Sequence, residues 1–239
     1  PTVSSIAISG ATGALNSTLN AGDVVSTTVT LSEAVTVTGT PQLALNIGGT
    51  TVQANYASGS GTNAITFTYT IVAGQADTNG ISLAANSLSL NAGTIVDLAG
   101  NTATLTTALV ADNAAYKVDT SVPTATITLS DTALAVGETA TVTIVFSEAV
   151  TSFTNADLTV QNGTLTNVTS SDNITWTGTF TPTAALEDTS NVISLATSYT
   201  DLAGNTGTVA SSANYAIDTA APTVSSIAIS GATGALNST

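Results

Sequence analysis

A chain of 239 residues carries fifteen carboxylates against one basic side chain, Lys117, for a formal charge of −14, although charged residues make up only 7% of it. With no His and no Cys, it offers no Ser/His/Asp triad, no thiolate nucleophile, no imidazole or thiolate metal site and no disulfide framework. The lone lysine leaves neither a cationic phosphate cradle nor a basic surface, so nucleic acid is excluded as an expected partner. No apolar run approaches the roughly 18 residues a membrane span needs, so membrane insertion is not expected either.

Hydrophobic content of 43% is enough for packed cores, and the apolar residues are Val, Ile, Ala and Leu in short runs alternating with Thr, Ser, Asn and Gly. That is a strand signature. In chain order, Ile6 and Ile8 alternate with small polar residues, as do Val25, Val29 and Leu31, then Leu43, Leu45 and Ile47, then Ile65, Phe67, Tyr69 and Ile71. Gly48-Gly49 between two of these runs predicts a hairpin turn. Further on, Ile127 and Leu129, then Ala140, Val142, Ile144 and Phe146, then Ile174, Trp176 and Phe180 continue the pattern. Trp176 alternates in phase with Ile174 and Phe180, which predicts a core anchor rather than a ligand-stacking ring.

Two repeats organise these runs. Residues 222–239 reproduce residues 1–18 letter for letter, PTVSSIAISGATGALNST, so Pro222 restarts at Pro1 with a period of 221 residues. Identity this complete marks a tandem array. Within the period a weaker repeat relates two units: Gly22 and Ser32-Glu33-Ala34-Val35-Thr36 return as Gly137 and Ser147-Glu148-Ala149-Val150-Thr151. Asp97-Leu98-Ala99-Gly100-Asn101 returns as Asp201-Leu202-Ala203-Gly204-Asn205, and Tyr116 with Asp119-Thr120 returns as Tyr215 with Asp218-Thr219. The offsets shrink from 115 (Gly22 to Gly137) through 104 (Asp97 to Asp201) to 99 (Tyr116 to Tyr215), as expected of homologues that differ in loop length. The predicted organisation is one domain over 1–121, a second over 122–220, and the start of the next copy over 221–239. Short strands spaced about 8 to 12 residues apart predict an all-β fold of two tandem immunoglobulin-like β-sandwiches.

On these residues the chain resembles the bacterial immunoglobulin-like repeats of giant extracellular adhesins. The Ser-Glu-Ala-Val strand end, the Asp-Leu-Ala-Gly-Asn loop and the closing Val/Ile-Asp-Thr-x-x-Pro linker carry the resemblance, with Gly39-Thr40-Pro41 and Asp77-Thr78-Asn79-Gly80-Ile81 added in the first unit. The resemblance implies a bacterial cell-surface protein in which such units serve as extenders, often rigidified by calcium at domain junctions.

The residues make their own case for calcium. Ca²⁺ is held by six to eight oxygens and needs neither His nor Cys. Asp97 with Asn101, and Asp201 with Asn205, bracket a Gly-containing turn that would bring a carboxylate and an amide oxygen together. Asp119 and Asp218 stand four residues before Pro123 and Pro222, where one unit hands over to the next. Glu33 and Glu148 are expected at strand ends, on the rim where those carboxylates could meet them. Asp77, beside Asn79, and Asp188 form a further candidate pair. The alternative is that all of these are solvated rim charges and that each Asp-Leu-Ala-Gly-Asn loop is a tight turn capped by its own side chain.

The functional expectation is a non-enzymatic extender repeat of a long surface adhesin or filament, with neighbouring repeats of the same chain as its partners. Two alternatives stay open: a repeat that itself binds glycan or other copies to form a surface filament or layer, and an accessory module of a secreted enzyme. Val224, Ile227 and Ile229 are expected to form the first strand of the following domain.

Overall fold

A computed structural model describes residues 1–228. Alternation of apolar and polar residues yields ten strands in the first domain: β1 (Val3–Thr12), β2 (Thr18–Leu19), β3 (Val24–Thr38), β4 (Gln42–Ile47), β5 (Thr50–Ser58), β6 (Thr62–Thr70), β7 (Ala76–Asp77), β8 (Leu88–Ser89), β9 (Thr94–Val96) and β10 (Lys117–Asp119). The second domain contains β11 (Ala125–Leu129), β12 (Ala133–Ala135), β13 (Ala140–Phe146), β14 (Val150–Thr151), β15 (Leu158–Val160), β16 (Gly163–Leu165), β17 (Thr175–Pro182), β18 (Glu187–Asn191), β19 (Ile193–Leu195), β20 (Thr200–Asp201), β21 (Ala210–Ser211) and β22 (Tyr215–Asp218). Apart from one 3₁₀ turn at Asn155–Asp157, the described residues contain no helix, and none is long and apolar enough to cross a membrane. The fold is all-β and immunoglobulin-like.

Both domains are wound on one plan. In the first, the main sheet runs β1-β3-β6-β5-β4-β8, and a second sheet runs β2-β10-β7. In the second, β11-β13-β17-β16 forms one sheet and β12-β22-β18 another. The opening segment therefore divides its pairing in each domain. Its first half lies antiparallel to the following long strand (β1 on β3, β11 on β13), and its second half lies parallel to the last strand (β2 on β10, β12 on β22). Such a crossing ties the two sheets together at the chain entry.

The strand period of two puts alternate side chains inside. Along β3, Val25, Thr27, Val29 and Leu31 are buried; along β13, Ala140, Val142, Ile144 and Phe146 are. Two separate cores result, one built from Ile8 through Val118 and the other from Ile127 through Ile217. Ile47 faces Thr50 across the β4–β5 hairpin, and Gly48 and Gly49 take φ of +55° and +88°, the paired positive values that a two-residue turn between twisted strands requires. Trp176 packs edge-on against Phe153 with ring centroids 5.1 Å apart, and Phe153 in turn contacts Phe146 and Tyr199, so the indole belongs to the core.

Two expectations about chain course are corrected. Glu33 does not end a strand: β3 runs on through it, pairing with β6 up to Thr30 and again at Val35, and with β9 from Thr36. The register shift between Thr30 and Val35 leaves Glu33 on a bulge, because β3 must bend there to pass from one sheet partner to the other. Glu148, by contrast, does fall in the gap between β13 and β14. Val224 and Ile227 lie outside any strand and are 78% and 89% exposed. The equivalent strand β1 is held by pairing with β3 of its own domain, a partner that Val224 and Ile227 lack among the described residues; Ile229 lies outside the described residues.

Thr27 is wholly buried, and its hydroxyl has no hydrogen-bond partner. A buried unpaired polar group costs about 1–3 kcal/mol, and replacing it with an apolar group of the same shape removes that cost. Thr27→Val is therefore expected to raise the stability of the first domain by about 1 kcal/mol, read as a higher urea midpoint with an unchanged denaturant slope.

Candidate junction site

The two Asp-Leu-Ala-Gly-Asn segments fold into turns with the same internal hydrogen bonds. Asp97 Oδ1 accepts from the backbone amides of Ala99 (2.9 Å) and Asn101 (2.8 Å), and Asp97 Oδ2 accepts from Asn101 Nδ2 (2.8 Å). Asp201 Oδ1 likewise accepts from Ala203 (2.9 Å) and Asn205 (2.8 Å), and its Oδ2 accepts from Asn205 Nδ2 (2.7 Å). Gly100 and Gly204 sit at φ of +90° and +91°, a conformation that costs a side-chain-bearing residue energy and that glycine adopts freely. These contacts correct the expected role of the asparagines. A carboxylate is acceptor-only, so each Asn turns its NH₂, not its oxygen, toward the Asp; Asn101 and Asn205 hold a carboxylate in place. The hydrogen bonds keep the Asp97 carboxyl below the usual carboxylate range, the Asn101 side chain contributing most.

The second turn lies where the chain passes between domains. Asn205 spends its other N–H on the backbone oxygen of Asp119 at 3.0 Å, at the end of β10. Ser121 N donates to Asp119 Oδ1 at 2.9 Å, curving the linker toward Pro123. The carboxylates of Asp119, Glu148 and Asp201 then converge, one oxygen from each lying within 4.8 Å of the other two. Asp201 is buried, while Asp119 and Glu148 are half-buried. Burial pushes the Glu148 carboxyl above the ordinary glutamate value of 4.5, and the charges of Asp119 and then Asp201 push it further. Two oxygens on opposite sides of a calcium ion, each about 2.4 Å from it, stand about 4.8 Å apart. The donor set is all oxygen and uncompensated by any cation, so it fits calcium.

The other sequence-predicted residues are placed differently. Glu33 meets the Pro1 amino terminus at 3.2 Å, the one ion pair among the described residues. Asp97 and Asn101 lie on that same end of the first domain. Asp218 is exposed at the far end of β22. The Asp77 carboxylate is buried and satisfied by backbone: Oδ2 accepts from Gly48 N (2.8 Å), and Oδ1 from Asn79 N (3.3 Å) and Gly80 N (2.8 Å). It pins the β4–β5 hairpin onto β7. Asp188 accepts from Ser190 N (2.9 Å) and Asn162 Nδ2 (2.8 Å).

Three residues of the junction escaped sequence reasoning. Asn16 Nδ2, from the loop between β1 and β2, donates to Leu202 O (2.8 Å), and Asn20 Nδ2, from the loop between β2 and β3, donates to Ala203 O (3.1 Å), both across the domain boundary. Leu15 packs so close that a Cβ on Gly204 would stand 2.9 Å from its Cδ1. The available signal was a difference, not a match: the second unit has Asp131 and Ala135 at the positions equivalent to Asn16 and Asn20.

Comparison with known proteins bears on this domain. The profile of a family described as bacterial Ig-like domain matches residues 119–217, from Asp119 of the junction to Ile217 in β22. The match covers 99 of the 239 residues, from the end of β10 to β22. Among solved structures, the chain is similar to that of FdeC, a broadly conserved Escherichia coli adhesin that elicits protection against urinary tract infections. That likeness has 13% identity and a TM-score of 0.38, and it covers 87% of this chain but 63% of the FdeC chain, so this chain spans less than two thirds of that length. No curated protein matches the chain in sequence.

A folded-state pKa above 4.5 for Glu148 means that its proton binds more tightly in the folded protein. Its favourable contribution is complete below that value and is lost as pH rises through the folded-state value. In chelator, the melting temperature of the second domain is expected to fall as pH climbs through this window. Glu148→Gln should flatten that part of the profile, and differential scanning calorimetry across the acidic range checks it.

Proposed function

We propose that the chain is a structural extender repeat of a long bacterial cell-surface adhesin or filament, braced by calcium where one sandwich joins the next. The observation that carries this reading is the convergence of Asp119, Glu148 and Asp201 on the linker side of the second domain. Clustered carboxylates either repel one another, take up protons or recruit a cation. Lys117, the only basic side chain, makes no ion pair among the described residues, so solvent is the available source of positive charge.

The remaining features support the extender role. An exact repeat of eighteen residues at a fixed period suits a part whose contribution is length, since a spacer needs number rather than variety. Formal charge of −14 makes neighbouring modules repel laterally. The residue inventory, without His or Cys, and the bacterial Ig-like match support a non-enzymatic role. Calcium is then the cofactor, adjoining repeats are the partners, and the extracellular side of a bacterial surface, where calcium is millimolar, is the location.

Titration of the calcium-free chain in a calorimeter is expected to show binding of the extracellular class, at about 10⁻⁴ to 10⁻³ M. Small-angle scattering of two successive repeats should show a larger maximum dimension with calcium than with chelator. Glu148→Gln, whose side chain caps no turn, is expected to weaken binding about tenfold without unfolding either domain. Absence of binding heat, together with scattering that ignores chelator, sinks the calcium part of the reading.

A further inference from the structure

The turn that seats the junction occurs twice with nearly identical internal hydrogen bonds, yet only one copy is covered. In the second domain Ala203 and Asn205 are buried, at 2% and 8% exposure, beneath Asn16, Asn20 and Asp119 of the first domain. In the first domain the equivalent Ala99, Gly100 and Asn101 are exposed, and Leu98 is 99% exposed against 53% for Leu202. The local fold is the same, so the difference is the neighbour.

The entry of the chain is the same in both places as well. Pro1 O accepts from Thr104 N (2.9 Å) as Pro123 O accepts from Thr208 N (3.1 Å). Thr2 N donates to Ser32 Oγ (3.0 Å) as Thr124 N donates to Ser147 Oγ (3.0 Å). The covering surface also has a counterpart. Ala135 N donates to Glu138 Oε2 at 2.8 Å as Asn20 N donates to Asp23 Oδ2 at 2.8 Å, which sets the loop before β13 in the conformation of the loop before β3. Asp218 ends β22 as Asp119 ends β10, and Pro222-Thr223 follows at the same spacing as Pro123-Thr124.

We propose that the exposed turn at 97–101, with Glu33 beside it, is a docking face for the second domain of another copy of this repeat, arriving head to tail through its Asp218. The joint so formed is of a different kind from the internal one. Asp131 and Ala135 occupy the places of Asn16 and Asn20. An alanine donates nothing, and an ionised aspartate offers only acceptors to the carbonyl it would face. Both carboxamide links across the boundary are therefore missing, one more carboxylate is present, and Asp218, Glu33 and Asp97 hold the repeat positions of Asp119, Glu148 and Asp201. Joints along the array alternate: one is cross-linked by asparagines, and the next is held together only when a cation offsets its charge. This dependence rests on the calcium reading above; the docking itself rests on the matching chain entries, turns and loops of the two domains.

The test is a chain of two successive repeats carrying one pair of spin labels. The sequence has no cysteine, so Ser9→Cys and Thr128→Cys, both exposed, label either the internal joint (within one copy) or the joint between copies (Thr128→Cys in the first, Ser9→Cys in the second). With calcium, both joints should give narrow distance distributions. In chelator, the joint between copies is expected to lose its narrow distribution while the internal joint keeps it, and Asp131→Asn with Ala135→Asn should restore it. A joint between copies that is broad even with calcium overturns the docking. One that stays narrow in chelator without the asparagines overturns the division into two kinds of joint. Failure of the calcium reading is told apart on another sample, as calorimetric silence of the single chain.

Discussion

Asp201 accepts two backbone amides and one carboxamide of its own turn, and that turn is the seat on which the first domain rests. The carboxylate is buried, a position that would be costly for a charge without such donors. Once it is fixed, the rest of the joint follows. Asn205, holding Asp201 with one N–H, has its other free to catch the Asp119 carbonyl. The turn carbonyls at Leu202 and Ala203 point outward to receive Asn16 and Asn20. A satisfied carboxylate thereby becomes the anchor for an unsatisfied electrostatic problem, because Asp119 and Glu148 are brought up beside it with no positive group to meet them.

The same five residues at 97–101 show how much of burial belongs to context. Sequence and internal hydrogen bonding match those at 201–205, yet Asn101 stands in solvent and Asn205 does not. At the internal joint Glu148 meets Asp119, the residue that leads into Pro123, and no cation.

Much of the fold could be read from the sequence because strand periodicity is a local property. Val25, Val29 and Leu31, or Val142, Ile144 and Phe146, alternate with Thr and Ser over consecutive residues, and a pleated strand must place them on one face. The Gly48-Gly49 turn was equally legible, since two successive positive φ angles call for residues without a Cβ. Glu33 was misplaced because a bulge depends on which strands β3 pairs with before and after it, and no local pattern records that change of partner. Asp77 looked like a ligand by its company of Asn79 and Gly80, but the hairpin amide of Gly48 arrives from twenty-nine residues away to occupy it.

By itself, the sequence determined that this is an acidic, all-β tandem repeat of two related units with oxygen as its only ligand chemistry, because composition and period are written in consecutive letters. It also brought Asp119, Glu148 and Asp201 into view as carboxylates near a linker. Only the tertiary structure decided that these three meet, that the asparagines hold rather than ligate, and that Leu15, Asn16 and Asn20 clamp the joint. Those outcomes depend on the direction of a carboxamide and on the approach of loops separated by more than 180 residues, and both are settled only when the two domains come into contact.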